Sequence, residues 1–95
     1  MTEVDVTLTA EDEHALTFAV VVTEGGSTSR HAVTLSRADY GAQGDRWSRP
    51  EDFVAGCFAF LLEREPKESI LSEFDVRDIG RYFPEFDRDV LHPEG

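Results

Sequence analysis

The sequence predicts one α+β domain over residues 1–95: a three-stranded antiparallel β-meander followed by one long buried helix and two short C-terminal helices. Three observations predict it. Apolar and polar residues alternate in the first third of the chain, the period of strands with one buried face. An almost wholly apolar run over residues 53–62 has the length of a helix. Two shorter apolar segments then follow a proline, each beside helix-start or helix-stop residues.

The meander is predicted over residues 1–35. Residues 4–8 alternate between aliphatic and polar side chains. A second strand over residues 15–23 places large apolar side chains on one face, and its other face is less polar than a solvent-exposed face should be. Gly25-Gly26 then predicts a tight hairpin, because glycine tolerates the positive φ such turns require. In the third strand, over residues 29–35, we expect His31 to point inward with the neighbouring aliphatic side chains.

Residues 36–47 are predicted to be a loop, and residues 48–90 the helical part of the domain. Ser36 and Asp39 have the spacing of a helix cap, so a single helical turn can begin the loop. Trp47, at its end, is interpreted as a packing residue rather than a platform for a ligand. Ser48 and Glu51 match a capping box for the long helix.

The long helix is apolar on nearly all sides, which predicts cover from two directions. We expect the meander on one side and the C-terminal segments on the other. Those segments are a short helix over residues 67–74 and a third helix over residues 76–82, which begins after Asp75. The inward residues of the 67–74 segment are predicted to be Ile70, Leu71 and Phe74. This packing would leave no apolar surface for a partner, and residues 91–95 are expected to be a frayed tail.

Charge limits the classes of partner. The formal net charge is −11, with 20 acidic against nine basic residues, and such a field repels nucleic acids and anionic membrane surfaces. We therefore expect neither as a partner. The N-terminal segment lacks the features of a signal peptide, and no apolar run approaches the roughly 20 residues of a membrane span. With one cysteine, Cys57, interpreted as a small buried hydrophobe, the sequence predicts a cytoplasmic protein.

Motifs for chemistry are missing from the sequence. His14, His31 and His92 are scattered, without the spacing of zinc ligands, and neither nucleotide-binding fingerprint occurs. The sequence therefore nominates no catalytic residue, no metal ligand and no cofactor, and it favours a protein that is not an enzyme.

One local concentration of positive charge is an exception on this acidic chain. It comprises Arg64, Lys67, Arg77 and Arg81, with Tyr82 as an aromatic neighbour. One interpretation is a set of salt bridges between the helical elements. The other is a patch that binds a small anion or carboxylate, or a partner protein.

Three functional hypotheses remain open from these observations. The first is a non-enzymatic protein-interaction or accessory module, with either a second copy of the chain or another protein as its partner. The second is a small anionic-ligand-binding domain or minor enzyme that uses the positive patch. The third is a regulatory protein or acidic mimic of nucleic acid, which has no sequence feature in its favour.

The C-terminal half also resembles a known group of sequences. The run at residues 60–71, followed by Phe74-Asp75 and by residues 79–86, is similar to a family of small bacterial proteins with no established function. In that family, β-rich sequence precedes the same signature. The resemblance implies a compact natural domain, and it brings neither an activity nor a cofactor.

Overall fold

A four-stranded sheet forms one layer of the protein in a computed structural model that describes residues 1–93. Strands β1 (Thr2–Glu11), β2 (Ala15–Glu24) and β3 (Ser27–Ser36) form the predicted antiparallel meander. Strand β4 (Glu73–Asp75) lies parallel to β3 at the opposite edge from β1. The α+β class is confirmed, whereas the prediction of a sheet with only three strands is wrong.

Local chemistry sets both connections of the meander. Gly25 and Gly26 have φ values of 59° and 83°, so the β2–β3 hairpin turns through the left-handed region. Between β1 and β2, a carboxylate oxygen of Asp12 accepts the backbone N–H groups of His14 and Ala15 at 2.7 and 2.9 Å. These bonds favour the ionised carboxylate and hold the pKa of Asp12 below its usual value.

Within residues 1–93, three α-helices follow the meander. Helix α1 (Arg37–Gly41) is the predicted single turn, and the Ser36 hydroxyl accepts the Asp39 N–H at 3.0 Å. Helix α2 (Pro50–Leu62) is the predicted long helix. Helix α3 (Val76–Tyr82) has the predicted bounds.

The predicted N-cap residue is wrong for α2 and is confirmed for α3. The capping box predicted for Ser48 and Glu51 is wrong, since the N-cap of α2 is Arg49, whose guanidinium pairs with Glu51 at 3.1 Å. Pro50 occupies the first helical position, where a missing N–H costs nothing. The N-cap of α3 is Asp75, as predicted, in a reciprocal box with Asp78.

The core lies between α2 and one face of the sheet. The side chains of β2, and those of β3 from His31 onward, alternate between buried and half-buried, and His31 is buried among the inward group as predicted. The rings of Phe58 and His31 have centroids 5.2 Å apart on the sheet side, whereas Phe60 meets Phe86 at 5.1 Å. Helix α2 is therefore covered from two directions, as its apolar composition requires.

The helix predicted over residues 67–74 is wrong. A 3₁₀ turn, Lys67–Ser69, is followed by a short non-helical segment that leads into β4. The Ala32 N–H of β3 donates to the Ser72 carbonyl at 2.8 Å, and Val33 pairs with Phe74. The edge of β3 thus gains hydrogen-bond partners that a helix in this position would not supply.

After α3 the chain crosses back towards α2 and makes a π-helical turn, Asp87–Leu91, with Phe86 and Val90 buried. Of the predicted frayed tail, Leu91 packs against the core, while residues 94–95 lie outside the described residues. No helix within residues 1–93 is long and apolar enough to cross a membrane.

Candidate functional site: an exposed apolar groove

A groove of about 350 Å³ opens between the C-terminal end of α2, the chain that leads into β4, and α3. Most of its wall is apolar. The residues that line it are Leu61, Glu65, Ser69, Ile70, Leu71, Phe74, Asp78, Ile79, Tyr82 and Phe83. We call this feature the α2–α3 groove.

Two large apolar side chains at the α2–α3 groove are open to solvent. Leu71 is 51% exposed and Tyr82 is 68% exposed, and Met1 is the other large hydrophobic residue exposed within residues 1–93. The predicted inward position of Leu71 is therefore wrong. Because the chain at residues 70–72 is not helical and bends at Ile70 and Ser72, Ile70 is buried while the next side chain, Leu71, is open to solvent.

The wall of the groove is fixed from below. One ring nitrogen of His31, Nδ1, lies 2.7 Å from the carbonyl oxygen of Leu71. A carbonyl can only accept, so Nδ1 donates, and Nε2 makes a second hydrogen bond, with the Ser29 hydroxyl, at 2.8 Å. Together with the bond from Ala32 to Ser72, this contact anchors the exposed segment to β3.

Two carboxylates, those of Glu65 and Asp78, lie on this mostly apolar wall. Asp78 accepts the Asp75 N–H at 3.1 Å and has a guanidinium nitrogen of Arg81 3.5 Å away. Glu65 is half-buried and, within residues 1–93, makes no ion pair. Arg81 thus offsets part of the negative charge of Asp78. Within the described residues, no ion pair offsets the negative charge of Glu65.

The five residues of the predicted positive patch lie in different settings. Arg64 lines a second groove together with Trp47, and Tyr82 lines the α2–α3 groove. Arg77 pairs with Asp39 at 3.2 Å, and Arg81 pairs with Asp78. Lys67 is only 4% exposed, with its ammonium 2.6 Å from a carboxylate oxygen of Glu68.

Arg64 makes the densest set of these contacts. Its guanidinium lies 3.0 Å from Glu85, 3.1 Å from Asp89 and 3.3 Å from Glu63, and stacks 3.5 Å from the centre of the Phe60 ring. These contacts fasten the C-terminal segment to α2. Each of the four cations therefore has an acidic partner on the chain, which favours the salt-bridge interpretation.

The second groove has a volume of about 270 Å³, and several of its residues make hydrogen bonds within the protein. Trp47 packs 5.5 Å from Phe53, centroid to centroid, and its indole N–H donates to the buried side chain of Gln43 at 3.2 Å. Arg46 donates to the same amide oxygen and, at 2.7 Å, to the Leu91 carbonyl. These contacts pack the loop that precedes α2 against the rest of the protein, in agreement with the packing role predicted for Trp47.

Side chains suited to catalysis or metal binding are not grouped at either groove in the described residues. Burial raises the pKa of the Cys57 thiol, which keeps it protonated and unreactive. Within the described residues, no three histidine, cysteine or acidic side chains are placed to hold a metal ion. Ser69, at the α2–α3 groove, has no side-chain hydrogen bond to a basic residue of the described chain.

The free edge of the sheet is a less suitable docking surface. Strand β1 has Glu3, Asp5 and Glu11 along its length and a register shift between Leu8 and Ala10. Charges and bulges on edge strands oppose the addition of another strand. The β1 edge is therefore protected against pairing with another strand, and the α2–α3 groove is the stronger candidate for a binding surface.

Comparison with protein-family models, curated proteins and solved structures finds no match to this chain. The resemblance of residues 60–86 to a family of small bacterial proteins stays a prediction. Sequence reasoning also did not find the α2–α3 groove, because its wall depends on an extended segment that the local pattern predicts to be helical.

Proposed function

We propose that this protein is a non-enzymatic interaction module that binds a segment of another protein in the α2–α3 groove. The observation that carries the proposal is the exposure of Leu71 and Tyr82 over an apolar wall. Large apolar side chains grouped at one surface depression mark binding sites more often than scattered exposed residues do.

The shape of the groove favours a protein segment over a small molecule. Its volume of about 350 Å³ is at the lower limit of ligand pockets, roughly 300–1,000 Å³, and such pockets enclose most of their ligand. Here the wall lies open along Leu71 and Tyr82. An open apolar groove is suited to the anchor side chains of a peptide or helix.

The anionic-ligand hypothesis has less support. It requires guanidinium groups free to bind a carboxylate or phosphate, whereas Arg64, Arg77 and Arg81 each already contact carboxylates of this chain. A ligand would have to displace those contacts and enter a field of net charge −11.

Site-specific photo-crosslinking tests the proposal. A benzoylphenylalanine in place of Tyr82 should give one discrete crosslinked protein in the native host, and the same group in place of exposed Arg88 should not. Leu71→Ser, combined with the probe at position 82, should abolish the product. The proposal is wrong if both positions give the same products, or if Leu71→Ser leaves the product unchanged.

A further inference from the structure

We infer that the segment received by the α2–α3 groove is cationic and amphipathic, with apolar anchors and at least one Lys or Arg placed against Glu65. This inference rests on the proposed function and specifies the chemistry of the partner. The observation behind it is a half-buried residue, Glu65, whose carboxylate makes no ion pair in the described chain, on the wall of a mostly apolar groove.

Burial by a partner changes the energetics of Glu65. An apolar segment that covers Leu61, Leu71 and Tyr82 also removes water from the carboxylate beside them. A buried charge without a partner is strongly unfavourable, whereas a cation at hydrogen-bond distance offsets the lost hydration. A neutral apolar segment would leave this cost in place, so the groove selects for positive charge.

Asp78 depends less than Glu65 on a cation supplied by the partner. It already accepts the Asp75 N–H and lies 3.5 Å from Arg81, so part of its charge is offset within the chain. The selective interaction is therefore at Glu65, and Asp78 adds a weaker attraction of the same sign. The −11 charge of the whole chain acts in the same direction, since it accelerates encounters with positive partners.

A second copy of the chain fits this groove poorly. It can supply Leu71 and Tyr82 as apolar anchors, yet it brings the same carboxylates and the same net charge of −11. Like charges placed together at an interface are destabilising. Within residues 1–93 no Lys or Arg lines the groove, and Arg81 already lies beside Asp78.

Fluorescence anisotropy with three labelled model peptides tests the inference on the intact protein. All three carry leucines at i, i+3, i+4 and i+7, and the remaining positions are Lys, Gln or Glu. We expect the Leu/Lys peptide to bind at least about tenfold more tightly than the Leu/Gln peptide, and the Leu/Glu peptide not to bind.

Matched charge variants separate the groove from the general acidity of the protein. Glu65→Gln should weaken the Leu/Lys peptide about tenfold or more, whereas Glu73→Gln, at an exposed position of β4 with the same change in charge, should change its binding less than about twofold. Leu71→Ser should also weaken binding of the Leu/Lys peptide. Thermal melting of each variant checks that it is folded.

These measurements distinguish failure of the cationic-partner inference from failure of the proposed interaction module. If the Leu/Gln peptide binds as well as the Leu/Lys peptide and Leu71→Ser abolishes both, the interaction module stands and the cationic partner is wrong. If Glu65→Gln and Glu73→Gln have equal effects, binding follows overall charge and the inference is overturned. If no peptide binds, both proposals fail. A dimer in sedimentation that Leu71→Ser dissociates would identify a second copy as the occupant and overturn the inference.

Discussion

His31 and Leu71, 40 residues apart in the chain, are joined by a hydrogen bond of 2.7 Å from the imidazole Nδ1 to the backbone carbonyl. The donor is buried, whereas the side chain of the acceptor residue is half exposed at the α2–α3 groove. A core residue of the third strand therefore determines where the wall of the candidate binding site lies.

Replacement of His31 by Leu should lower the free energy of unfolding by about 1–3 kcal/mol, because the Leu71 carbonyl and Ser29 hydroxyl both lose a buried partner. His14→Leu, at an exposed position in the β1–β2 turn, should change it by less than about 0.5 kcal/mol. Urea unfolding of both variants measures the difference. Equal effects would contradict the structural role given to His31.

Gly56 leaves space for Trp47. A Cβ atom at this position would lie 2.8 Å from the indole atom Cη2, below any normal contact distance. Gly56→Ala should therefore destabilise the protein by about 1–3 kcal/mol, as overpacking does. Gly80→Ala is a matched control within α3, where the new methyl group meets no atom within 4 Å. It should stabilise by about 0.5–1 kcal/mol in the same thermal assay, and a loss of stability there would argue against the described packing of α3.

The contacts of Arg64 predict a dependence of stability on pH. The pKa of Glu85 is held below its usual 4.5 by a backbone N–H and then by Arg64. The pKa of Asp89 is lowered by Arg88 and, more weakly, by Arg64. Because both folded-state values are lowered, the stabilisation is present above the unfolded-state pKa and is lost as pH falls through the folded-state value.

The free energy of unfolding should therefore fall as the pH is lowered through about 4.5 and below. Arg64→Met should be less stable at pH 7 and should show a shallower fall, since the backbone contribution to Glu85 remains. Arg81→Met, which removes a more exposed cation, should retain the slope of the unmodified protein. Chemical denaturation between pH 7 and 3 provides the measurement, and parallel curves for all three proteins would contradict the role of Arg64.

Phe58 is fully buried, with ring centroids 5.2 Å from His31 and 5.8 Å from Phe74. Phe58→Ala should cost about 3–5 kcal/mol, the usual range for loss of a buried ring. Leu62→Ala, at a half-buried position of the same helix, should cost clearly less. A loss under about 1 kcal/mol for Phe58→Ala would mean that α2 is not the centre of the core.

Burial of Cys57 predicts that a thiol reagent reaches it only after unfolding. Its pKa is raised because the thiolate would lose its hydration, so the native thiol is both inaccessible and protonated. Reaction with Ellman's reagent at pH 8 should be slow in native buffer and complete in 8 M urea. Rapid labelling of the native protein would show that the thiol is accessible.

Features governed by neighbouring residues follow from the sequence. The alternation of residues 4–8 and the apolar face of residues 15–23 predict the meander, Gly25-Gly26 predicts its hairpin, and Asp75 predicts the start of α3. The same reasoning was wrong at Ser48, because Arg49 rather than Ser48 takes the N-cap position. It also missed Glu65 as a residue of the candidate site, since its isolation from cations depends on where distant residues lie.

By itself, the sequence determined the class of the fold, the long apolar helix and the strongly acidic surface, because each depends on composition or on a local repeat. Only the tertiary structure decided the conformation of residues 70–74. Their apolar spacing fits a helix as well as an extended segment, and the hydrogen bonds offered by His31 and Ala32 of β3 favour the extended form. That choice adds β4 to the sheet, turns Leu71 to solvent and creates the α2–α3 groove.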